Sequence, residues 1–158
     1  MIEMGIRGFQ EVKKKFLRTG KGNGKIYFPQ RATEKSAGYD FKSPIDVLIY
    51  PDSFVRIYTN IKAYMLDDEY LELNIRSSKA IKKNLRLKNS VGIIDCDYYS
   101  NFQNDGGIII CLFNEGHNII KIKQGEKIVQ AIFKKYLLTD DDEPVNTERI
   151  GGIGSTDN

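Results

Sequence analysis

Val55-Arg-Ile-Tyr-Thr-Asn-Ile-Lys-Ala-Tyr-Met65 decides the fold class, because its apolar side chains recur at every second position. Val55, Ile57, Ile61, Ala63 and Met65 share one face of an extended chain, with a polar interruption at Thr59. Period two marks a half-buried strand, whereas a helix would repeat at about 3.6 residues. Working outward, Leu71, Leu73 and Ile75 alternate in the same way, as do Ile120 and Ile122, then Val129, Ala131 and Phe133. Ile108-Ile-Ile-Cys-Leu112, entered through Gly106-Gly107, is apolar on both faces and reads as a central strand. Asn114-Glu-Gly116 and Gln124-Gly125 supply turns. A single stretch, Ser78 to Leu87, has helical character: Ala80, Ile81, Asn84 and Leu85 would share a face, with Ser77 or Ser78 as N-cap. Many short strands and one short helix predict an all-β, jelly-roll-like sandwich or barrel.

At 158 residues the chain reads as a single β-rich domain over 1–138 followed by an acidic linker and Gly-rich arm over 139–158. No apolar run approaches the ~18 residues of a membrane span, and the mixed Met1–Gln10 segment does not read as a leader. Cys96 and Cys111 lie in apolar, strand-like runs, so buried reduced thiols of a cytoplasmic protein explain them better than a disulfide. A net charge of +3 is too small to predict direct nucleic-acid binding. The charge is uneven: residues 1–31 hold eight Lys/Arg against two Glu, and residues 139–158 hold six acids against Arg149 alone. The basic end reads as a solvated face or as attraction for an anion. The loop Gly20-Lys-Gly-Asn-Gly24 reads as mobile.

Five polar segments interrupt the strands. In Arg31-Ala-Thr-Glu-Lys-Ser-Ala-Gly-Tyr-Asp40-Phe41, Asp40 is either turn chemistry or a functional carboxylate. In Ile75-Arg76-Ser77-Ser78-Lys79-Ala80, two hydroxyls open the expected helix; they are either simple caps or, with Arg76, a phosphate site. Asn89-Ser-Val-Gly92-Ile-Ile94-Asp95-Cys-Asp97-Tyr98-Tyr99 puts two acids in strand-like surroundings, where Asp is disfavoured. They either end a hairpin or hold a proton acceptor against an apolar wall. Gln124-Gly-Glu-Lys-Ile-Val-Gln130 reads alone as turn and strand. Gly151-Gly-Ile153-Gly154-Ser155-Thr156, behind Arg149, concentrates backbone N–H groups and hydroxyls; it is a disordered end or a phosphate wrap, and not a P-loop, since no Lys precedes Ser155.

Together and in this order, the five segments resemble the motifs of the trimeric dUTP diphosphatase (dUTPase) family, from about residue 26 onward. The resemblance implies a jelly-roll homotrimer with active sites shared between subunits, hydrolysing dUTP to dUMP and pyrophosphate by attack of water on the α-phosphorus. It assigns Asp95 to activating that water, and Asn89, Gly92, Ile94 and Tyr98 to the uracil and deoxyribose. Arg76, Ser77, Ser78 and Gln130 fall to the phosphates on the body. Arg149, Ile153, Gly154, Ser155 and Thr156 form an arm that closes over a site at another subunit. Mg²⁺ is implied on the triphosphate, with Asp40 in contact through its water.

Four departures stand out. Ile153 replaces a Phe that stacks on uracil in the family. Asp157-Asn158 stands where Gly is usual, and a Tyr99–Gly107 extension replaces a short turn. That extension is expected on the surface, either free or touching a neighbouring subunit. Lys79 replaces an apolar residue and is expected to be solvated, or else to contact phosphate. The rival readings are a dCTP deaminase of the same fold and a weakly catalytic dUTP-binding regulatory module. The deaminase needs a Glu base where this chain has Cys111, before Asn114.

Overall fold

The computed structural model describes residues 5–18, 25–145 and 148–153. Among these residues twelve strands and one α-helix follow one another: β1 (Gly8–Glu11), β2 (Gln30–Arg31), β3 (Tyr39–Lys42), β4 (Val47–Ile49), β5 (Phe54–Tyr58), β6 (Ile61–Tyr64), β7 (Glu69–Ile75), α1 (Ser77–Lys83), β8 (Leu85–Leu87), β9 (Gly92–Asp95), β10 (Ile109–Asn114), β11 (Ile120–Ile122) and β12 (Lys127–Lys135). An antiparallel five-stranded sheet runs β2-β3-β12-β7-β9, and a three-stranded one runs β5-β10-β8. The pairs β1-β6 and β11-β4 complete the jelly-roll-like arrangement. Among the described residues no sheet closes into a barrel, so of the two architectures expected it is the open sandwich that forms.

The core is built from the predicted alternation. Ile57, Ile61, Leu71, Leu73, Ile122, Val129 and Ala131 are all buried, as is Thr59. Thr59 is not a lapse in one strand but the crossing between two. Asn60 adopts a positive φ of 59°, and the chain passes from β5 in one sheet to β6 in another. The Thr59 hydroxyl donates to Ile108 O at 2.8 Å, so the buried polar group is satisfied. Ile108-to-Leu112 behaves as expected, β10 lying between β5 and β8.

The helix is shorter than its sequence pattern. It stops at Lys83 because Asn84 takes a left-handed conformation (φ 51°) and donates its backbone N–H to Lys79 O. Leu85 and Leu87 then alternate into the core as β8, while Ile81 is exposed. Neither Ser77 nor Ser78 is the cap: Arg76 holds that position, with no side-chain hydrogen bond.

An N-terminal strand braces the whole. β1 pairs with β6, and Phe9 packs edge-on to Phe41 with ring centroids 5.7 Å apart. Arg7 forks onto the buried Glu69, donating from Nη2 at 2.6 Å and from Nε at 3.1 Å. The 20–24 loop lies outside the described residues, so its expected mobility stands only as an expectation.

Candidate active site

Most of the described residues singled out from sequence border two hollows; Asp95 and Ser78 border neither. The first is a pocket of about 570 Å³ over the β9 hairpin, bordered by Asn89, Gly92, Ile94, Tyr98, Arg149 and Ile153. Asn89 is exposed at its mouth, in a turn where Val91 N–H donates to Asn89 O at 2.8 Å and Ser90 has a φ of 65°. Gly92 has no room for a side chain, since a Cβ would stand 2.9 Å from Leu73 Cβ. Tyr98 is buried at the floor. Its hydroxyl donates to Gly107 O at 3.1 Å and accepts from Asn104 Nδ2 at 2.6 Å. Burial pushes the Tyr98 phenol up despite the Asn104 hydrogen bond and nearby Arg149, so it stays protonated at neutral pH.

Asp95 ends β9 and caps the short 3₁₀ turn Cys96–Tyr98. It is half-exposed and pairs with Arg149 of the C-terminal arm, whose Nε also lies 2.7 Å from Asp97 Oδ1. The arm covers the hairpin of its own chain. Gly152 lies against the Tyr98 ring, Arg149 sits 5.9 Å from that ring's centroid, and Ile153 is 72% exposed. Gly154, Ser155 and Thr156, with Asp157 and Asn158, lie outside the described residues.

The second hollow, about 150 Å³, is bordered by Ser36, Gly38, Asp40, Arg76, Ser77 and Gln130. The sheet places them: Asp40 of β3 stands opposite Gln130 of β12, and α1 starts immediately after Arg76. Gly38 is required for close approach, because a Cβ there would meet Gln130 Oε1 at 2.7 Å. Asp40 is 6% exposed. Its Oδ1 lies 3.3 Å from Arg76 Nε, and its Oδ2 lies 2.9 Å from Lys127 Nζ without an aligned hydrogen bond. Ser78 is exposed and borders neither hollow, so the structure gives it no part in the group. α1 has only seven residues, so its dipole is small and Arg76 is the charged donor at this hollow.

Two expectations are corrected, those for Lys79 and for the cysteines. Lys79 is neither solvated nor in the phosphate hollow: it is buried and paired with Glu126. Burial, with like charge from Lys83 and Arg76, pulls its pKa below the ordinary lysine value, and Glu126 supplies the compensating charge. The 99–107 extension reaches the surface, with Phe102 88% exposed, and is also anchored to the core. Its Asp105 is 1% exposed and accepts hydrogen bonds from Lys62 Nζ at 2.8 Å and from the Lys13 N–H at 2.8 Å. Lys127, Lys62 and Asp105 were not singled out from sequence. Charged residues on alternating strands look solvent-facing until their cross-sheet partners are known. Cys111 and Cys96 are free thiols, half-buried rather than buried. No carboxylate borders the hairpin pocket beside Cys111 among the described residues, which leaves the deaminase reading without its base.

An apolar-walled pocket over one hairpin and a polar hollow beside a buried carboxylate, on a jelly-roll-like sandwich, suit a nucleotide-handling enzyme. The dUTPase family model matches residues 25–156. The chain belongs to the dUTPase family. It is 43% identical over 154 residues to a deoxyuridine 5'-triphosphate nucleotidohydrolase from Lactococcus lactis, covering 97% of this chain and 99% of the relative. A relative of the same name from Rickettsia typhi is 35% identical, covering 92% of this chain and 96% of its own. The crystal structure of a dUTPase from Streptococcus mutans superposes with a TM-score of 0.72 at 38% identity, covering 84% of this chain and 98% of that one. A dUTPase from a Staphylococcus aureus phage, phi11, with a structural Mg(II) ion, shares the fold at a TM-score of 0.69 and 16% identity, covering 90% of this chain and 98% of that one.

Proposed function

We propose that this dUTPase hydrolyses dUTP to dUMP and pyrophosphate in the cytoplasm, in a homotrimer whose sites are shared between subunits. The observation that carries the reading is the division of labour between the two hollows. In a single chain they share no bordering residue: one is walled largely by apolar side chains such as Leu73, Ile94 and Ile109, the other by Asp40, Arg76, Ser77 and Gln130. On this reading the hairpin of one chain is set against the β3-β12 hollow of another, and the two together hold the whole substrate.

On this reading the Asn89 turn holds the uracil edge, and the ring of Tyr98 packs under the deoxyribose, excluding a ribose hydroxyl. A donor–acceptor pattern fitted to uracil rejects cytosine, because each buried polar group left unpaired costs about 1–3 kcal/mol. Asp95, half-exposed, accepts the proton of the attacking water. Arg76, Ser77 and Gln130 hold the phosphates, and Arg149 leaves Asp95 for them as the arm closes. Positioning and charge neutralisation supply most of the rate.

The residues also fit Mg²⁺. No three His, Cys, Asp or Glu cluster into a ligand set among the described residues, which suits an ion carried by the triphosphate and by water. Asp40 Oδ2, without an aligned donor, suits a water of that hydration shell. When bound, the ion would neutralise charge on the triphosphate.

The test is pyrophosphate release from dUTP, with dCTP, dTTP and UTP as controls, with and without Mg²⁺. Release from dUTP alone is expected. Equal activity on all four would overturn the specificity argument, and ammonia from dCTP would restore the deaminase. Tight dUTP binding without turnover would instead favour the regulatory module.

A further inference from the structure

The Tyr99–Gly107 extension and the N-terminal strand are joined into one unit. Asp105 receives Lys62 from β6 and the Lys13 N–H from the segment after β1. Lys62 also reaches Ser100 Oγ at 3.3 Å, and its ammonium lies 4.6 Å from the centroid of the Tyr99 ring. The Tyr99 hydroxyl donates to Gln10 Oε1 at 2.6 Å. Inside the loop, Asn101 donates from Nδ2 to Tyr98 O at 2.8 Å, while its Oδ1 accepts from the N–H of Gln103 at 3.0 Å and of Asn104 at 3.1 Å. A loop held by a buried ion pair and this many internal bonds is a rigid platform.

What the platform carries is the arm. The Gln103 N–H donates to Ile150 O at 3.2 Å. The Gln103 side chain lies so close to Gly151 that a Cβ there would stand 1.8 Å from Oε1. One residue on, Gly152 is pressed to the Tyr98 ring, where a Cβ would meet Cε2 at 2.6 Å. Two consecutive glycines thus thread a gap between Gln103 and Tyr98, and that threading delivers Arg149 to Asp95 on one side and Ile153 to the pocket on the other. The seat is also reversible. When Ile150 leaves, the Gln103 N–H keeps Asn101 Oδ1 as acceptor, so release orphans no donor.

We propose that the 99–107 extension is the seat of the C-terminal arm, with Gln103 a positioning residue that grips Ile150–Gly151 and so takes over part of the holding done by an aromatic at position 153. Its ligand is a second piece of dUTPase chain, the Gly151-Gly152 arm. The kinetic consequence rests on the dUTP reading given above; the seat itself does not.

Two experiments on the full chain separate those dependences. In the first, Gln103→Cys with Gly151→Cys is mildly oxidised without nucleotide, against each single variant. A cross-link specific to the pair is expected, and none would overturn the seat whether or not the protein turns over dUTP. The second is a kinetic cycle. Gln103→Ala is expected to raise KM by about three- to tenfold with kcat within about twofold, and Gln103→Met, which keeps the shape, to restore it. Gly151→Ala is expected to raise KM in the native background but much less when Gln103 is already Ala, a non-additivity of about threefold or more. Additive effects, or an unchanged KM in Gln103→Ala, would overturn the positioning role.

Discussion

Arg149 Nη2 donates to Asp95 Oδ2, so the arm's only arginine rests on the carboxylate proposed to activate water. A guanidinium there competes with the water Asp95 must approach. Asp95→Asn keeps the shape and removes the base. It is expected to lower kcat by at least about 100-fold while affinity for a non-hydrolysable dUTP analogue, read by calorimetry, changes little. A kcat near that of the native enzyme would remove Asp95 from the mechanism.

Ile153 marks the opposite end of the arm, exposed at the pocket mouth with a φ of 44°. A β-branched side chain covers a base without stacking on it, and base–aromatic stacking is worth roughly 1–3 kcal/mol. Ile153→Phe is therefore expected to lower KM for dUTP by about tenfold, since about 1.4 kcal/mol is a factor of ten, with kcat little altered. An unchanged KM would mean that the seat already fixes the arm without help from the base.

The period-two runs made the strands legible, because a side chain alternating in and out of a core leaves its mark on neighbouring residues. The end of α1 was not legible, since Ala80, Ile81, Asn84 and Leu85 satisfy a helical face until the left-handed turn at Asn84 is known. The motif residues could be read as a set, but not their separation. Asp40 and Tyr98 sit in different hollows because of how β3 and β9 fall within one sheet, which no local spacing encodes. Lys62, Lys79 and Asp105 were hidden for a related reason: a buried ion pair joins residues far apart in sequence, and each partner alone looks like solvated charge.

Asp105 gives the fold an acid limit. Burial alone would raise its pKa, but the Lys62 hydrogen bond, the Lys13 N–H and the charges of both lysines together hold it below the ordinary Asp value. With the folded value below the unfolded one, its stabilising contribution is complete above the ordinary carboxylate range and fades as pH falls through the folded value. Asp105→Asn should cost about 3–5 kcal/mol near neutral pH, because it strands Lys62 in a buried site. The deficit should begin to shrink as pH falls below the ordinary carboxylate range, about pH 4, and be lost as pH passes through the lower folded value. Denaturation midpoints of both proteins between pH 3 and 8, set by buffer, check this. A constant gap across the range would mean that Asp105 acts by shape alone.

Subunit sharing predicts a result that single variants cannot give. Asp95→Asn disables the hairpin half of a site, and Arg76→Ala disables the phosphate half. If the halves come from different chains, trimers reassembled from a mixture contain some sites with both halves intact, so the mixture is expected to regain activity that neither parent has. Failure of that pair would return the complete site to one chain. Pairing Asp95→Asn with Arg149→Ala asks a separate question, who lends the arm. In the structure the arm rests on its own hairpin, yet residues 137–145 are exposed throughout, and nine extended residues span roughly 30 Å. That reach lets an arm leave its own Gln103 seat for the identical seat on a neighbour. Recovery in this second mixture is expected if the arm crosses. Silence there, with recovery in the first, would mean that each chain closes its own hairpin pocket while borrowing only the phosphate half.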